Sequence, residues 1–373
     1  MTDSVLDRPS ANDIESILAV GLQDPTEAIH AVRDNADAIF TWDYEKGARP
    51  ALNKLYEKAK HSQWNGETDL DWSIDVDIDR GLDALLVPDA MGFVKYVKDD
   101  PSLPLHKLND AEWRDLAKES LIWRMSQFMH GEQGALICTA KIVETVPWID
   151  AKYYASTQVM DEARHVEVFA KYLDTKLDGF YPINAHLKML LDDIISDSRW
   201  DMTYLGMQIM VEGLALAAFG VMHAITDEPL LKKLLRYVMS DEARHVAFGV
   251  LSLQEYYQEL TDVEMFERQQ FAFEAAVRMR DRFLAQEIWE RKGFDTSAIA
   301  KAMLEVDRSQ DLFTQLLFAK IVPNCSKLGL LDRNDGWLRQ KFTDINVIQF
   351  EGEIDTGDDY ETYALGEDLP AVG

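Results

Sequence analysis

Two copies of one hexapeptide constrain this chain more than any other feature. Asp161-Glu162-Ala163-Arg164-His165-Val166 recurs letter for letter as Asp241-Glu242-Ala243-Arg244-His245-Val246, 80 residues later. Thirty residues before the Glu of each copy stands another Glu in an otherwise apolar stretch, Glu132 in FMHGEQGALIC and Glu212 in MQIMVEGLALAAF. Each half therefore reads Glu, then Glu-x-x-His: Glu132, Glu162, His165 and Glu212, Glu242, His245. Glu and His three apart lie about 60° round a helix and roughly 4.5 Å along it, so both project from one face. The gap to the lone Glu requires an antiparallel helix pair. Its midpoints fall at Pro147 in VPWID and Asp227 in TDEP, both turn-forming segments. Two such hairpins packed together place four carboxylates and two imidazoles at the centre of a four-helix bundle.

The rest of the chain suits that frame. Residues 110–146, 150–176, 196–225, 229–258 and 261–292 are rich in helix formers, with apolar residues three and four apart. This predicts an all-α fold, a four-helix bundle with extra N- and C-terminal helices. Shorter helices are expected near 12–20, 26–38 and 48–62. An irregular stretch follows from Ser62 to Asp110, holding Trp64, Trp72, Gly81, Pro88, Pro101 and Pro104. The expected organisation is an N-terminal region over 1–109, the bundle over 110–260, helices packing on it over 261–341 and an acidic tail over 342–373. That tail has nine acids and no Lys or Arg, so it reads as loosely held and partly disordered.

Composition narrows the function. With 38 Lys and Arg against 66 Asp and Glu, the 373-residue chain carries −28, which repels phosphate backbones and anionic lipid. Neither nucleic acid nor a membrane surface is an expected partner. Two cysteines, Cys138 and Cys325, make neither a disulfide framework nor a thiolate metal site, and they fit a reducing compartment. No apolar run reaches the roughly 18 residues of a membrane span. The start, MTDSVLDRPSAND, lacks the basic and apolar regions of a signal peptide, so a cytoplasmic location is expected.

Energetics point to metal. Glu132 and Glu212 sit among apolar residues, and an unpaired buried carboxylate costs several kcal/mol or takes up a proton. Two divalent cations would neutralise the four glutamates, and oxygen and imidazole donors without thiolate suit iron or manganese. Asp161 and Asp241 are expected to accept hydrogen bonds from the outer ring N–H groups of the histidines across the bundle, with Arg164 and Arg244 balancing them. His223 falls too far along its helix to join the set, and His130 faces away from Glu132. His30, His61, His106 and His186 read as surface or loop residues. Met125, Met129, Met202, Met207, Met210 and Met239 read as core.

The quoted residues resemble the ferritin-like diiron-carboxylate oxidoreductases over about 110–260. That superfamily includes bacterial monooxygenases, acyl-carrier-protein desaturases, arylamine N-oxygenases and the ribonucleotide reductase small subunit. Lys58-Ala59-x-x-x-Gln63-Trp64, with Asp69, Asp71 and Trp72, is similar to the Trp-containing region that leads into the bundle in some members. There such a Trp helps carry electrons. The resemblance implies two Fe ions or an Mn/Fe pair, O2 as co-substrate, an external electron donor such as a ferredoxin or reductase, and a possible homodimer. It makes Glu162 and Glu242 bridging ligands and Glu132 and Glu212 terminal ones.

Departures separate the chain from the subfamilies. Phe169 stands where the reductases carry a radical Tyr, although one subclass with Phe there uses an Mn/Fe pair. Ala215 and Leu216 replace the Thr of monooxygenases and desaturases, and Val238 replaces the third His of arylamine N-oxygenases. Residue type and helical spacing put Phe128, Phe169, Met207, Ala215 and Leu216 in an apolar wall for an aromatic or aliphatic substrate portion. The expected function is an O2-activating dinuclear iron oxygenase that hydroxylates or N-oxygenates a small organic substrate. The alternatives are a radical-generating protein like the ribonucleotide reductase small subunit and a ferroxidase or iron-handling protein.

Overall fold

Helices carry the fold, with no strand among the described residues of the computed structural model, which are 4–21, 31–39, 45–77, 100, 101, 103–305 and 317–365. In chain order they are α1 (Ile14–Leu18), α2 (Pro50–His61), α3 (Asp110–Thr145), α4 (Ile149–Tyr172), α5 (Ala185–Ser196), α6 (Trp200–Ile225) and α7 (Pro229–Tyr257). There follow α8 (Asp262–Asp281), α9 (Gln286–Lys292), α10 (Thr296–Glu305), α11 (Ile321–Lys327), α12 (Arg333–Asp344) and α13 (Thr356–Asp359).

The core is two antiparallel hairpins, α3 with α4 and α6 with α7. Each turns in three residues, 146–148 and 226–228. Local chemistry sets the helix starts. The Asn109 side chain accepts from the N–H groups of Ala111 and Glu112, while Glu112 accepts from the N–H of Asn109. Glu228 accepts from the N–H groups of Leu230 and Leu231 ahead of α7, with Pro229 at the first helical position. It also accepts from Tyr172 Oη at 3.0 Å, which ties the start of α7 to the end of α4. α2 lies against both α4 and α7.

Several sequence expectations are corrected. The third predicted helix begins at Trp200 rather than 196, and the sequence misses α5 entirely. Asn184 starts α5 by accepting from the N–H groups of His186 and Leu187, and Leu187, Leu190, Leu191 and Ile194 bury its apolar face. His186 is therefore core, 1% exposed, and not a surface or loop residue. The fifth predicted helix breaks after Asp281, where Ala285 takes a left-handed conformation (φ 49°) with no Gly or Pro to flag it. Residues 31–38 of the helix expected near 26–38 are not helical, and its first part lies outside the described residues, as do His30, Gly81 and Pro88.

α6 also departs from the predicted ideal. Residues Leu205–Val211 form a π-turn, immediately before Glu212. The turn fits because α7 offers Gly249 there: a Cβ on it would lie 2.6 Å from Gln208 Cβ. Counted as one helix, Trp200–Ile225 is long and apolar enough to cross a membrane, contrary to the expectation of no such run, and 78% of its apolar window is buried inside the protein.

The acidic tail is not loose over its described part. Thr356 is fully buried and its N–H donates to Asn324 Oδ1 at 2.8 Å. Lys320 pairs with Asp359, Lys327 with Asp358, and both Lys54 and Lys58 with Glu361. Arg236 donates to the carbonyls of Tyr363 and Ala364. The acids of this segment meet the lysines of α2 and of the start and end of α11, while Arg236 of α7 holds its backbone carbonyls, so it lies as a strap across the bundle. Residues 366–373 lie outside the described residues.

Candidate metal centre

Glu132 on α3, Glu162 and His165 on α4, Glu212 at the end of the π-turn, and Glu242 and His245 on α7 all bury their side chains in the middle of the two hairpins. Donor atoms of Glu132, Glu162, His165 and Glu242 lie within 4.8 Å of one another, and so do those of Glu162, Glu212 and His245. Glu162 belongs to both groups. His165 Nδ1 is 3.0 Å from Glu242 Oε1, 3.3 Å from Glu132 Oε2 and 3.6 Å from Glu162 Oε2. His245 Nδ1 is 3.1 Å from Glu162 Oε1 and 3.6 Å from Glu242 Oε1.

The outer ring nitrogens cross over. His165 Nε2 meets Asp241 Oδ2 at 3.2 Å, and His245 Nε2 meets Asp161 Oδ2 at 3.3 Å, so each imidazole is oriented by the other hairpin's aspartate. Arg164 donates to Asp161 at 2.6 Å and to Asp241 at 2.9 Å, and Arg244 donates to Asp241. Nδ1 is left pointing into the carboxylates in both halves.

This donor set fits two divalent cations. Glu162 Oε2, Glu212 Oε2, both Glu242 oxygens and His245 Nδ1 are buried without a hydrogen-bond partner. Such orphans cost about 1–3 kcal/mol each, more when charged, and here they face one another. Without cations the cluster has to gather protons instead. Burial, then the Glu242 charge, push Glu132 well above the usual carboxylate range, and burial with the Glu162 charge does the same to Glu212. Against burial, the surrounding carboxylates raise both imidazoles, Glu132 acting on His165 and Glu162 on His245.

Gln158, which the motif reading overlooked, and the Gln63-Trp64 pair of the segment before the bundle complete the surroundings. Gln158, fully buried, donates to Glu162 Oε1 at 2.8 Å and to Glu212 Oε1 at 3.0 Å. It stands one turn before Glu162, a position occupied by Val238 in the second copy, so the broken repeat was the available signal. Gln63 donates to Asp161 and accepts from Arg164. Trp64 donates its indole N–H to Asp241 Oδ2 at 2.7 Å and lies parallel to Tyr237, ring centroids 4.9 Å apart.

Of the expected apolar wall, Phe128 and Ala215 line a small cavity shared with Glu132, Glu212 and Glu242. Phe169, Met207 and Leu216 are buried but are not part of its lining; Phe169 instead packs with Phe128 and Phe219. His130 bonds to Gln133 and the Tyr181 carbonyl, away from the cluster. His223 and His106 are partly buried and His61 is exposed. The six methionines read as core from the sequence, Met125, Met129, Met202, Met207, Met210 and Met239, are buried, and Cys138 and Cys325 are buried free thiols.

A bundle whose facing helices contribute two lone glutamates and two Glu-x-x-His motifs has the architecture of the ferritin-like dinuclear carboxylate proteins. No family model matches the chain, and no curated protein matches it. Among solved structures, the chain is similar to an R2-like ligand-binding oxidase with aerobically reconstituted metal cofactor after photoconversion, at 17% identity over 76% of this chain and 94% of that one, TM-score 0.49. It is also similar to an R2-like ligand-binding oxidase with aerobically reconstituted Mn/Fe cofactor, at 16% identity over 77% of this chain and 94% of that one, TM-score 0.46. What the site can do follows from its own residues.

Proposed function

We propose that the protein is a dinuclear non-haem oxidoreductase, holding two Fe ions or an Mn/Fe pair, that uses O2 to hydroxylate or N-oxygenate a small organic substrate. One observation carries the reading: buried, unpartnered carboxylate and Nδ1 atoms converge in two overlapping groups that share Glu162. In this reading Glu132, Glu162, His165 and Glu242 hold one ion, and Glu162, Glu212, Glu242 and His245 the other. Glu162 and Glu242 would serve both ions, since each lies within 3.6 Å of both Nδ1 atoms. The metal pair supplies reduction of O2 beside a bound substrate.

The chain's own residues do the rest. Asp161 and Asp241 fix the imidazoles so that Nδ1 faces inward, and Arg164 and Arg244 pair with those aspartates and hold them in place. Gln158 orients Glu162 and Glu212 through both hydrogens of its amide. Phe128, Phe169 and Phe219 exclude water on one side. Trp64, joined through Asp241 to His165 and stacked on Tyr237, gives an external donor a route for electrons.

The test begins with metal-free protein loaded anaerobically with Fe(II). Two ions per chain are expected to bind, and absorbance and EPR are followed after O2 is added. Changes that follow bound iron, with no long-lived radical, support the oxygenase reading. A stable radical would favour a reductase-like protein, and fewer than two ions per chain would end the dinuclear reading. In the same experiment Trp64→Phe is expected to keep both ions and slow their re-reduction by an external donor; an unchanged rate removes Trp64 from the route.

A further inference from the structure

The cavity beside the glutamates has room for about one water, 20 Å³. Its wall is apolar at Phe128, Ala135, Val211 and Ala215, yet Arg282 also lines it. Arg282 follows directly on α8, in the short 3-10 turn that the left-handed Ala285 ends. It is 3% exposed; its guanidinium carbon lies over the Phe283 ring, 4.8 Å from the centroid, and no hydrogen bond or ion pair with a described residue balances its charge. The adjacent carboxylate does not serve it: Asp281 is taken by Arg8 and Arg280, each at 2.6 Å. Burial brings the guanidinium down to about 9, which leaves it charged at neutral pH.

An unpaired buried cation is costly, and proteins keep one where something arrives to pair it. The charge balance around the centre says the same, given the dinuclear reading on which this inference rests. Four glutamates and two aspartates are neutralised by Arg164, Arg244 and two divalent cations. Arg282 is left over, one positive charge with no counter-ion.

We propose that Arg282 binds the acid group of the substrate and that the substrate is an organic carboxylate, its apolar portion lying against Phe128 and Ala215. A monoanion restores neutrality. A phosphate dianion would overshoot, and with a single guanidinium and three nearby glutamates it would lack donors. Gly131 on the same wall is partly exposed, and a Cβ built there meets no atom within 4 Å, so the cavity has room to extend on that side.

The experiment uses the full chain loaded with Zn(II), which is redox-silent and separates binding from turnover. Calorimetric titration with benzoate, against its neutral isostere benzamide, is the readout. Benzoate is expected to bind at least about tenfold more tightly than benzamide. Arg282→Gln should cost benzoate about tenfold or more with both ions retained, and Arg282→Lys should recover part of that loss. Gly131→Leu, which takes up the open space beside the cavity wall and leaves Arg282 in place, should also weaken benzoate.

Equal affinity for benzoate and benzamide overturns the assignment. So does benzoate binding unchanged in Arg282→Gln, which would put the acid on the metals alone. Should Arg282→Gln fail to fold, Gly131→Leu and the benzoate–benzamide comparison on the unaltered chain still decide it. Fewer than two Zn(II) per chain overturns the dinuclear reading, whereas two Zn(II) with no preference for benzoate overturns the Arg282 assignment alone.

Discussion

The two hairpins share one motif letter for letter and yet build unequal surroundings. In the first, α3 runs as α-helix through Glu132, and Glu132 Oε2 meets the histidine of its own hairpin at 3.3 Å. In the second, the π-turn over Leu205–Val211 precedes Glu212, which is held by Gln158 of the first hairpin rather than by His245. Trp64 sits over His165, while the hydroxyl of Tyr154, near enough to His245 to act on its charge, has no hydrogen-bond partner. A duplicated motif thus sets which donor types meet, and residues outside the motif make the two positions inequivalent. That inequivalence is what a centre needs if its two metals are to differ in affinity or identity.

The largest expected effect tests what the halves share. Glu162 belongs to both donor groups, so Glu162→Ala should abolish binding of both ions, whereas Glu132→Ala should cost the first position chiefly. Metal content after desalting reads this directly, and equal losses from the two variants would break the distinction.

The next effect concerns α5, which joins the hairpins. His186 is held near 4 by burial, opposed by Asp281 and reinforced by Arg8 and Arg278, against 6.5 in an unfolded chain. Its folded value is depressed, so its contribution is fully present above about 6.5 and lost as pH falls towards 4, at most about 3 kcal/mol. His186→Gln should therefore flatten the fall in urea midpoint between pH 6.5 and 4. An identical pH profile in the variant would show that acid lability originates elsewhere.

The smallest effect sharpens the comparison most. Gln158→Leu removes the amide that orients Glu212, and metal affinity should fall about 10–100-fold at the second position with the first little changed. Stepwise Fe(II) titration resolves the two. Parallel losses at both positions would mean that Gln158 serves the pair as a unit.

Much of this was legible in the sequence because helical spacing is rigid. A 30-residue interval centred on a turn leaves a glutamate little choice but to return to the level of its partner, and the two hairpins follow. The π-turn was not legible, since α and π differ by one residue per turn and packing against Gly249 accompanies the choice here. Arg282 was hidden for a similar reason: it follows a helix break made by an alanine, 37 residues after His245, and nothing in its neighbours marks it. The hold on the tail was not legible because composition counts its acids but not the lysines at α2 and α11 that they meet, nor the Arg236 side chain on α7 that takes its carbonyls.

That strap has a consequence for how the molecule is made. Glu361 grips Lys54 and Lys58 on α2, and α2 leads straight into Gln63 and Trp64 at the cluster. The chain emerges from the ribosome in order, so every proposed ligand of the centre is synthesised before the segment that clamps this side shut. A chain still short of Glu361 therefore holds all six of those residues while α2 lacks the grip of the strap.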